Sequence, residues 1–388
     1  MGYNLEVQNF RALNRSQWAP SGVCVVVGPN GSGKTTLLGV LEFLRNAFLR
    51  GPAQALNEMG GAYGLRSWTA AKDDPVLLSF AVDDLRWELQ LTVDGPTVSE
   101  RLGECVTLGA ESVLSRAALS SRLVYRGKDH SIAEGDDRLA LRIISDADSP
   151  EELAPLIRAI GNLRVYRAYN IWSLQQNGSR AGSDLHLHPS GRNAFTVLRN
   201  WRDRRELRPQ YEFVLDSLQA AFPDVSEDLE FPSAGLTTTV NLFDPTWHAS
   251  FPLTLAPDGW ITGLLHLIAV AGAQPNTLIA IDDFGNDLHP FAIRALTASF
   301  QQWAEEHDNT VCLASHSPVL LDEFKMSPES VFVMEHDLES RPVALNELFD
   351  PDWLSRFSLG RLYQHGEFGG QTRRDQGRVR RNEDHGGT

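Results

Sequence analysis

The sequence predicts an α/β fold whose parallel-stranded core is divided by a long insertion. Three observations predict it. The apolar run Val23–Val27 feeds a glycine-rich loop at 28–33 that opens onto Leu37 and Leu38 at the start of a helical pattern. Two more short apolar runs, Leu278–Ile281 and 311–314, flank one helical stretch and read as parallel core strands. Between these halves Leu85, Trp87, Leu89, Leu91 and Val93 alternate at period 2, the pattern of an antiparallel strand with one buried face.

Bulk properties narrow the class. With 388 residues and 42% hydrophobic content the chain can bury a large core, and its length suggests two or three lobes. A net charge of −15 excludes a surface used as a whole for nucleic acid and leaves only local contacts. Cys24, Cys105 and Cys312 are odd in number and widely spaced, which predicts reduced thiols and a cytoplasmic setting. The start of the chain lacks a signal pattern and no apolar run reaches about 18 residues, so no membrane span is expected.

In chain order, residues 3–11 read as an edge strand and 18–22 as a turn into the run from Val23. Leu37, Leu38, Val40, Leu41, Leu44 and Phe48 predict a helix ending near Gly51-Pro52, and Asp94-Gly95-Pro96 a hairpin turn. Residues 151–160 read as a short helix, 163–166 as a strand and 177–191 as a mobile loop. Two helices interrupted near Pro209 follow over 194–222, then a strand in which Trp247, Ala249, Phe251, Leu253 and Leu255 alternate. Ile261, Leu264, Leu265 and Ile268 resume helical spacing. The last 18 residues carry five arginines and almost no large apolar residue, so they read as disordered.

The loop satisfies G-x-x-x-x-G-K-[ST] in full. A buried strand, a glycine-rich turn and a helix N-terminus together point backbone N–H groups at phosphates, so Asn30, Gly31, Ser32, Gly33, Lys34, Thr35 and Thr36 are candidate nucleotide-binding residues. Lys34 should reach the β/γ-phosphates and Thr35 should hold Mg²⁺. Leu278-Ile279-Ala280-Ile281-Asp282-Asp283 is a Walker B pattern: Asp282 for the Mg²⁺ shell, Asp283 to polarise the attacking water. Because 248 residues separate Lys34 from Asp282, a large lobe must be inserted between two halves of one core.

Three motifs then carry a resemblance: 28–36 after Asn9-Phe10-Arg11, Ile281-Asp282-Asp283-Phe284-Gly285-Asn286-Asp287-Leu288-His289-Pro290, and Ala314-Ser315-His316-Ser317-Pro318. Together they resemble the ABC-type AAA family ATPases related to overcoming-lysogenization-defect, RecF and Rad50/SMC heads, of the kind found in bacterial anti-phage defence operons. Residues 359–370 resemble a recurring C-terminal ending of such ATPases. The resemblance implies an ABC-type P-loop ATPase head, a mixed sheet core plus an antiparallel β subdomain, with an inserted helical lobe. The corresponding domains are 1–150 (N-terminal half of the core and β subdomain), 151–235 (helical lobe), 236–370 (C-terminal half) and 371–388 (basic tail). It further implies face-to-face dimerisation around two ATP molecules, Arg11 and Gly259 as nucleotide contacts, His316 as the switch histidine near the γ-phosphate, and 286–289 as the D-loop. Spacing alone leaves a strand-end core histidine open for His316.

Two departures from the family pattern point to slow hydrolysis. Pro257 stands where relatives place a serine before Asp258-Gly259, and Asp283 stands where most have glutamate. No Q-loop motif is found, although 66–68 lies in roughly the right region. Arg199, Arg202, Arg204, Arg205 and Arg208 could track a phosphate backbone, but Asp203 and Glu206 interleave and a solvated helix face is the plainer reading. His186 and His188 lack a cluster that would make them metal ligands. The expected function is an Mg·ATP-binding ATPase acting as a homodimer or higher homo-oligomer on a separate effector, a nuclease or toxin. The alternatives are an ATP-dependent scaffold with little turnover, or a RecF-like DNA-repair ATPase.

Overall fold

The computed structural model describes residues 2–61, 64–71, 74–94, 97–118, 120–133, 137–244, 246, 248–335 and 341–369. The expected basic tail from Gln371, the Gly95-Pro96 turn and Trp247 lie outside the described residues. The N-terminal part contains β1 (Tyr3–Phe10), β2 (Leu13–Trp18), β3 (Val23–Val27), α1 (Lys34–Arg50) and α2 (Pro52–Glu58). Next come β4 (Val76–Val82), β5 (Leu85–Asp94), β6 (Thr97–Leu108), β7 (Glu111–Arg116), β8 (Arg122–Tyr125), β9 (Lys128–Ser131), α3 (Ala140–Asp148) and α4 (Ala154–Asn162).

All these strands except β3 form one antiparallel sheet in the order β2-β1-β4-β5-β6-β7-β8-β9. Its register sets Leu5 opposite Phe80, Phe80 opposite Trp87, Trp87 opposite Val106 and Val106 opposite Leu114. A row of apolar side chains therefore crosses the sheet on one face, where each cross-strand pair supports the next. Helix α1 covers that face, with Phe48 edge-on to Trp87 at 6.4 Å between ring centres. Tyr3–Phe10 is not an edge strand: β2 flanks it on one side and β4 on the other. The strand over 13–18 is not legible in sequence, because Asn14, Arg15 and Gln17 leave only Leu13, Ser16 and Trp18 as inward positions.

The middle of the chain gives β10 (Arg164–Tyr166), α5 (Ile171–Asn177), β11 (Ser179–Arg180), α6 (Ala194–Asp203) and α7 (Arg208–Ala221). Pro209 sits in the first turn of α7, where its missing N–H would have no partner in any case. The stretch 177–191, expected to be mobile, is tied down: Ser179 Oγ donates to Arg192 O at 2.8 Å and Asn193 Nδ2 to His186 O at 2.9 Å. Short strands β12 (Asp228–Glu230), β13 (Ser233–Ala234), β14 (Thr237–Thr238), β15 (Asn241–Asp244) and β16 (Ala249–Pro252) form two small three-stranded sheets, one of them shared with β11. The strand expected to run on to Leu255 stops at Pro252, which has no N–H for the ladder, and residues 253–255 tighten into a 3₁₀ turn.

The C-terminal part supplies α8 (Asp258–Ala271), β17 (Leu278–Ile281), α9 (Pro290–His307), β18 (Thr310–Ala314), α10 (Pro318–Asp322), β19 (Val331–Val333) and β20 (Val343–Ala344). Three short helices follow, α11 (Leu345–Leu348), α12 (Pro351–Leu354) and α13 (Leu359–Gln364). The core sheet runs β10-β17-β18-β3-β19-β20 and is parallel through β19. Alternation along its strands makes two cores. Val23, Val25, Val27, Ile279 and Ile281 pack with α6 to α9, while Cys24, Val26, Leu278, Ala280 and Cys312 pack with α1 and the antiparallel sheet. Cys24 and Cys312 are register neighbours, both buried free thiols. β10 belongs to this core sheet although the surrounding stretch reads as a helical lobe. The fold is thus mixed α/β: a largely parallel core sheet, an antiparallel β subdomain and an inserted lobe with helical character.

Trp87 is fully buried and donates its indole N–H to Glu104 at 2.9 Å. Trp87→Ala should lower the free energy of unfolding by about 3–5 kcal/mol, read from denaturant titrations followed by near-UV circular dichroism.

Candidate functional site

Four parallel strands end together at one edge of the core sheet, the position at which α/β folds bind ligands. β3 delivers the loop 28–33, β17 ends at Asp282 and Asp283, β18 at Ser315 and His316, and β10 at Arg167. Gly28 is required by close approach, since a Cβ there would lie 2.1 Å from the carbonyl oxygen of Met334. Ser32 Oγ is buried without a hydrogen-bond partner among the described residues. Lys34 folds back on the loop, its Nζ donating to Gly28 O at 2.8 Å and Pro29 O at 3.2 Å. Burial lowers its pKa, and the charges of Asp282 and Asp283 oppose that fall.

Asp282 is 7% exposed and accepts hydrogen bonds from the Thr35 hydroxyl and, at 3.2 Å, from the Asp283 N–H. Burial raises its pKa and the Thr35 hydrogen bond lowers it; the Asp283 charge raises it, and the Arg167 charge and the Asp283 N–H lower it. Asp283 itself has φ 54°, the left-handed region that Asp and Asn tolerate best among residues with a Cβ. Backbone geometry therefore favours the shorter acid here. The two strand ends are locked to each other, because Ser315 Oγ donates to Phe284 O at 2.6 Å and the Phe284 N–H to Ala314 O at 2.9 Å.

His316 is half-buried beside this group. Burial, and then Lys34, hold its pKa below the usual imidazole value against the pull of Asp283 and Asp282, so the neutral ring is favoured near pH 7. Its Nδ1 lies 3.4 Å from the Tyr363 hydroxyl, which also reaches Gly28 O at 3.5 Å. Tyr363 comes from α13, and the chain after it returns to the phosphate loop, where a Cβ on Gly369 would lie 3.5 Å from the Gly28 Cα. The sequence carried one hint of this, the ending at 359–370, but nothing local in it names Tyr363 as a contact of the loop.

Arg167 is the second residue missed. It follows the strand beside β17, its Nη2 lies 3.1 Å from Glu42 Oε2 of α1, and its charge acts on Asp282. The region considered for a Q-loop, 66–68, lies instead by the β1–β2 turn, with the Ser67 N–H donating to Asn9 O at 2.8 Å and Trp68 95% exposed. The strand at 163–166 is legible in sequence, but no glutamine follows it and nothing local points to Arg167.

The remaining candidates are placed as follows. Arg11 donates from Nε to Gly64 O at 2.6 Å and from Nη2 to Met59 O at 2.8 Å, so its fork holds the 59–64 loop while the adjoining Ala12 and Leu13 border Gly33. A Cβ on Gly259 would lie 2.6 Å from Asp287 O, which seats the start of α8 against the turn after β17 and not against the phosphate loop. Arg199 and Arg202 pair with Asp203 and Arg208 with Glu212, while Trp201 is buried, as a solvated helix face requires. His186 Nδ1 bonds Gly272 O at 2.6 Å, and His188 lies 3.8 Å from Asp184. Among the described residues no helix is long and apolar enough to cross a membrane.

Fold and site together define the class: an α/β P-loop domain with its glycine-rich loop, paired acids and histidine on one sheet edge. The chain belongs to the family described as "AAA domain, putative AbiEii toxin, Type IV TA system", whose model matches residues 23–322. That family implies a nucleotide and usually Mg²⁺, and the orphaned Ser32 hydroxyl with the Thr35–Asp282 pair fits both. No curated protein matches the chain in sequence. Two solved structures are similar to it at low identity. One, "Crystal structure of the SmcHead bound to the C-winged helix domain of ScpA", has 11% identity, covers 82% of this chain and 90% of its own, and gives a TM-score of 0.45. The other, the SMC head domain from Thermotoga maritima, has 12% identity, covers 83% and 91%, and gives a TM-score of 0.37.

Two measurements probe the packing behind the site. His266 of α8 is fully buried against Phe284, and burial pushes its pKa from 6.5 to about 3. The unfolded imidazole therefore takes up a proton near pH 6.5 that the folded one refuses, so stability is complete above that pH and falls as the pH drops toward 3. Thermal melts between pH 7 and 4 should show this decline, flattened in His266→Gln. Tyr363→Phe keeps the ring against Phe368 and removes the hydroxyl between His316 and Gly28. Loss of one such hydrogen bond should slow turnover about 3–10-fold with nucleotide affinity unchanged.

Proposed function

We propose that the chain binds Mg·ATP at this sheet edge, pairs with a second copy face to face around two ATP molecules, and hydrolyses ATP slowly. Through that cycle it controls a separate effector protein, a nuclease or toxin, in bacterial anti-phage defence. The observation that carries the reading is the convergence of Lys34, Thr35, Asp282, Asp283 and His316 from three strands of one sheet. Such a group has no evident use in packing: burial penalises the charges of Lys34 and Asp282, and a polyphosphate with its cation would relieve the penalty.

In this reading the N–H groups of residues 30–36 cradle the phosphates, and Lys34 exchanges the Gly28 and Pro29 carbonyls for phosphate oxygens. Thr35 and Asp282 hold Mg²⁺, whose charge offsets that of the phosphates. Asp283 orients and polarises the attacking water, and neutral His316 contacts the terminal phosphate. The first turn of α8 has no side-chain cap, so its free N–H groups suit a terminal phosphate presented by another copy. Gly259 is on that turn. Pro257, at the cap position, supplies neither hydroxyl nor N–H, and with the short Asp283 this supports slow hydrolysis. The effector role draws on the resemblance to defence ATPases and on the family description, which names a toxin–antitoxin system.

The same two residues favour a second reading, in which bound ATP holds a homo-oligomeric scaffold around the effector and turnover is incidental. A DNA-repair role draws less support, because three of the α6–α7 arginines are already paired with acids.

Lys34→Ala should weaken ATP binding about 100-fold or more. Asp283→Asn should keep binding, cut turnover about 10²–10³-fold, and accumulate an ATP-dependent dimer by light scattering. Wild-type turnover in Asp283→Asn, or no change of mass with ATP, would count against the proposal. If Asp283→Asn still protects cells against phage, the scaffold reading replaces the hydrolytic one. Co-purification with the products of adjacent genes, with and without ATP, tests for the effector.

A further inference from the structure

Away from the ATP edge, α1, β10 and the segment 184–189 enclose a cavity of about 450 Å³. Arg45 and Asn46 line it from α1, Arg164 and Tyr166 from β10, and His186 and His188 from the segment. The segment is a fixed wall, since Asn200 Nδ2 donates to Asp184 O at 2.8 Å, Trp201 Nε1 to Leu185 O at 3.0 Å and Asn193 Nδ2 to His186 O at 2.9 Å.

Three arginines, Arg45, Arg50 and Arg164, and three acids, Glu42, Glu58 and Asp184, line the cavity, and the acids do not pair with Arg45 or Arg164. Among the described residues Arg45 Nε is buried with no hydrogen-bond partner, and its Nη1 lies 3.4 Å from Asn46 Oδ1. Arg164 Nη1 donates to two backbone carbonyls, Gly161 O at 3.2 Å and Leu163 O at 3.0 Å. Neither guanidinium has a carboxylate within ion-pair distance among the described residues. The acids in the walls already have other partners: Glu58 has Arg50 and Asn46, Glu42 has Arg167, and Asp184 has Asn193 and His188. Burial lowers the pKa of both arginines. That of Arg45 falls to about 10, with Arg164 and then Arg50 adding repulsion and the nearby Glu42 only partly offsetting it. Two half-buried like charges without a counter-ion are costly to keep, and a bound anion removes the cost.

We propose that this cavity is a second anion site, separate from the phosphate loop, that takes a phosphorylated small molecule. Its volume lies in the range of small-molecule sites. Two guanidinium forks on rigid elements are the donors that recognise phosphate oxygens in two directions at once. The walls also explain what such a ligand would do. Arg45 lies about three turns, or about 16 Å, along the helix that begins at Lys34, and β10 leads directly into Arg167 beside Asp282. An occupant braces the two elements that flank the ATP edge, which makes the site regulatory in kind.

The test uses inorganic pyrophosphate as the probe and the full chain carrying Lys34→Ala, so that the phosphate loop is silent. Pyrophosphate at saturation should raise its melting midpoint by about 2–4 °C and titrate calorimetrically to one site. Adding Arg45→Gln or Arg164→Gln should weaken binding about tenfold or more each. Arg45→Lys, which keeps the charge and loses the fork, should fall between and serves if the glutamine variant does not fold. Absence of pyrophosphate binding in Lys34→Ala overturns the proposal, as does unchanged affinity in Arg45→Gln, Arg45→Lys and Arg164→Gln. Binding of a short DNA duplex but not of pyrophosphate also overturns it. Because Lys34→Ala is the background, failure here leaves the ATP reading intact, and failure of ATP turnover leaves this site intact.

Discussion

Everything in this head depends on covering one strand. β3 must hold the phosphate loop rigid, and five consecutive buried residues, Val23 to Val27, can do so only if both edges and both faces are occupied. The two edges are taken by β18 and β19, which lie about three hundred residues later, with Cys24 opposite Cys312 and Val26 opposite Phe332. The faces are taken by α1 with the antiparallel sheet on one side and by α6 to α9 on the other. The long excursion between β3 and β17 is therefore part of the solution: it supplies β10, α6 to α8 over one face and most of the sheet over the other. Closing so long a loop costs entropy that grows only slowly with length, and two large cores offset it.

The same packing sets the electrostatics. Strand ends that must be buried to be rigid bring Lys34, Asp282 and His316 into a medium that disfavours charge, so burial is the first influence on each. Their mutual attraction restores part of what desolvation removes, and the Thr35 hydroxyl helps Asp282. A group so balanced is poised to respond to an arriving anion and cation. His316 held neutral offers hydrogen bonding without adding a charge. The C-terminal segment joins this balance through Tyr363, and its anchor is Phe368, buried against Tyr363 and Phe349. Helix α1 carries the other connection, from Lys34 at its start to Arg45 near its far end.

Much of this was legible in the sequence, and the reasons differ by element. The loop at 28–36, the acid pair after Ile281 and the apolar runs of β3, β17 and β18 are local patterns, because strand, turn and helix N-terminus each leave a signature a few residues long. The period-2 face of β5 was plain for the same reason. β2 is not legible because only Leu13 and Trp18 are apolar in it, and without that partner β1 reads as an edge strand. The strand through 249–255 was drawn too long because Leu253 and Leu255 keep the alternation that Pro252 interrupts.

By itself the sequence determined that a phosphate loop, a Mg²⁺-type acid pair and a third strand with a terminal histidine belong to one α/β core. The rule linking spacing to chemistry is local. Only the tertiary structure decided what surrounds them: that β10 joins the core sheet and brings Arg167 to Asp282, that Tyr363 returns to touch both His316 and Gly28, and that Arg45 and Arg164 share a cavity without a carboxylate. Those juxtapositions arise from which buried faces pack together across hundreds of residues, and a single strand or helix carries no record of its distant partner.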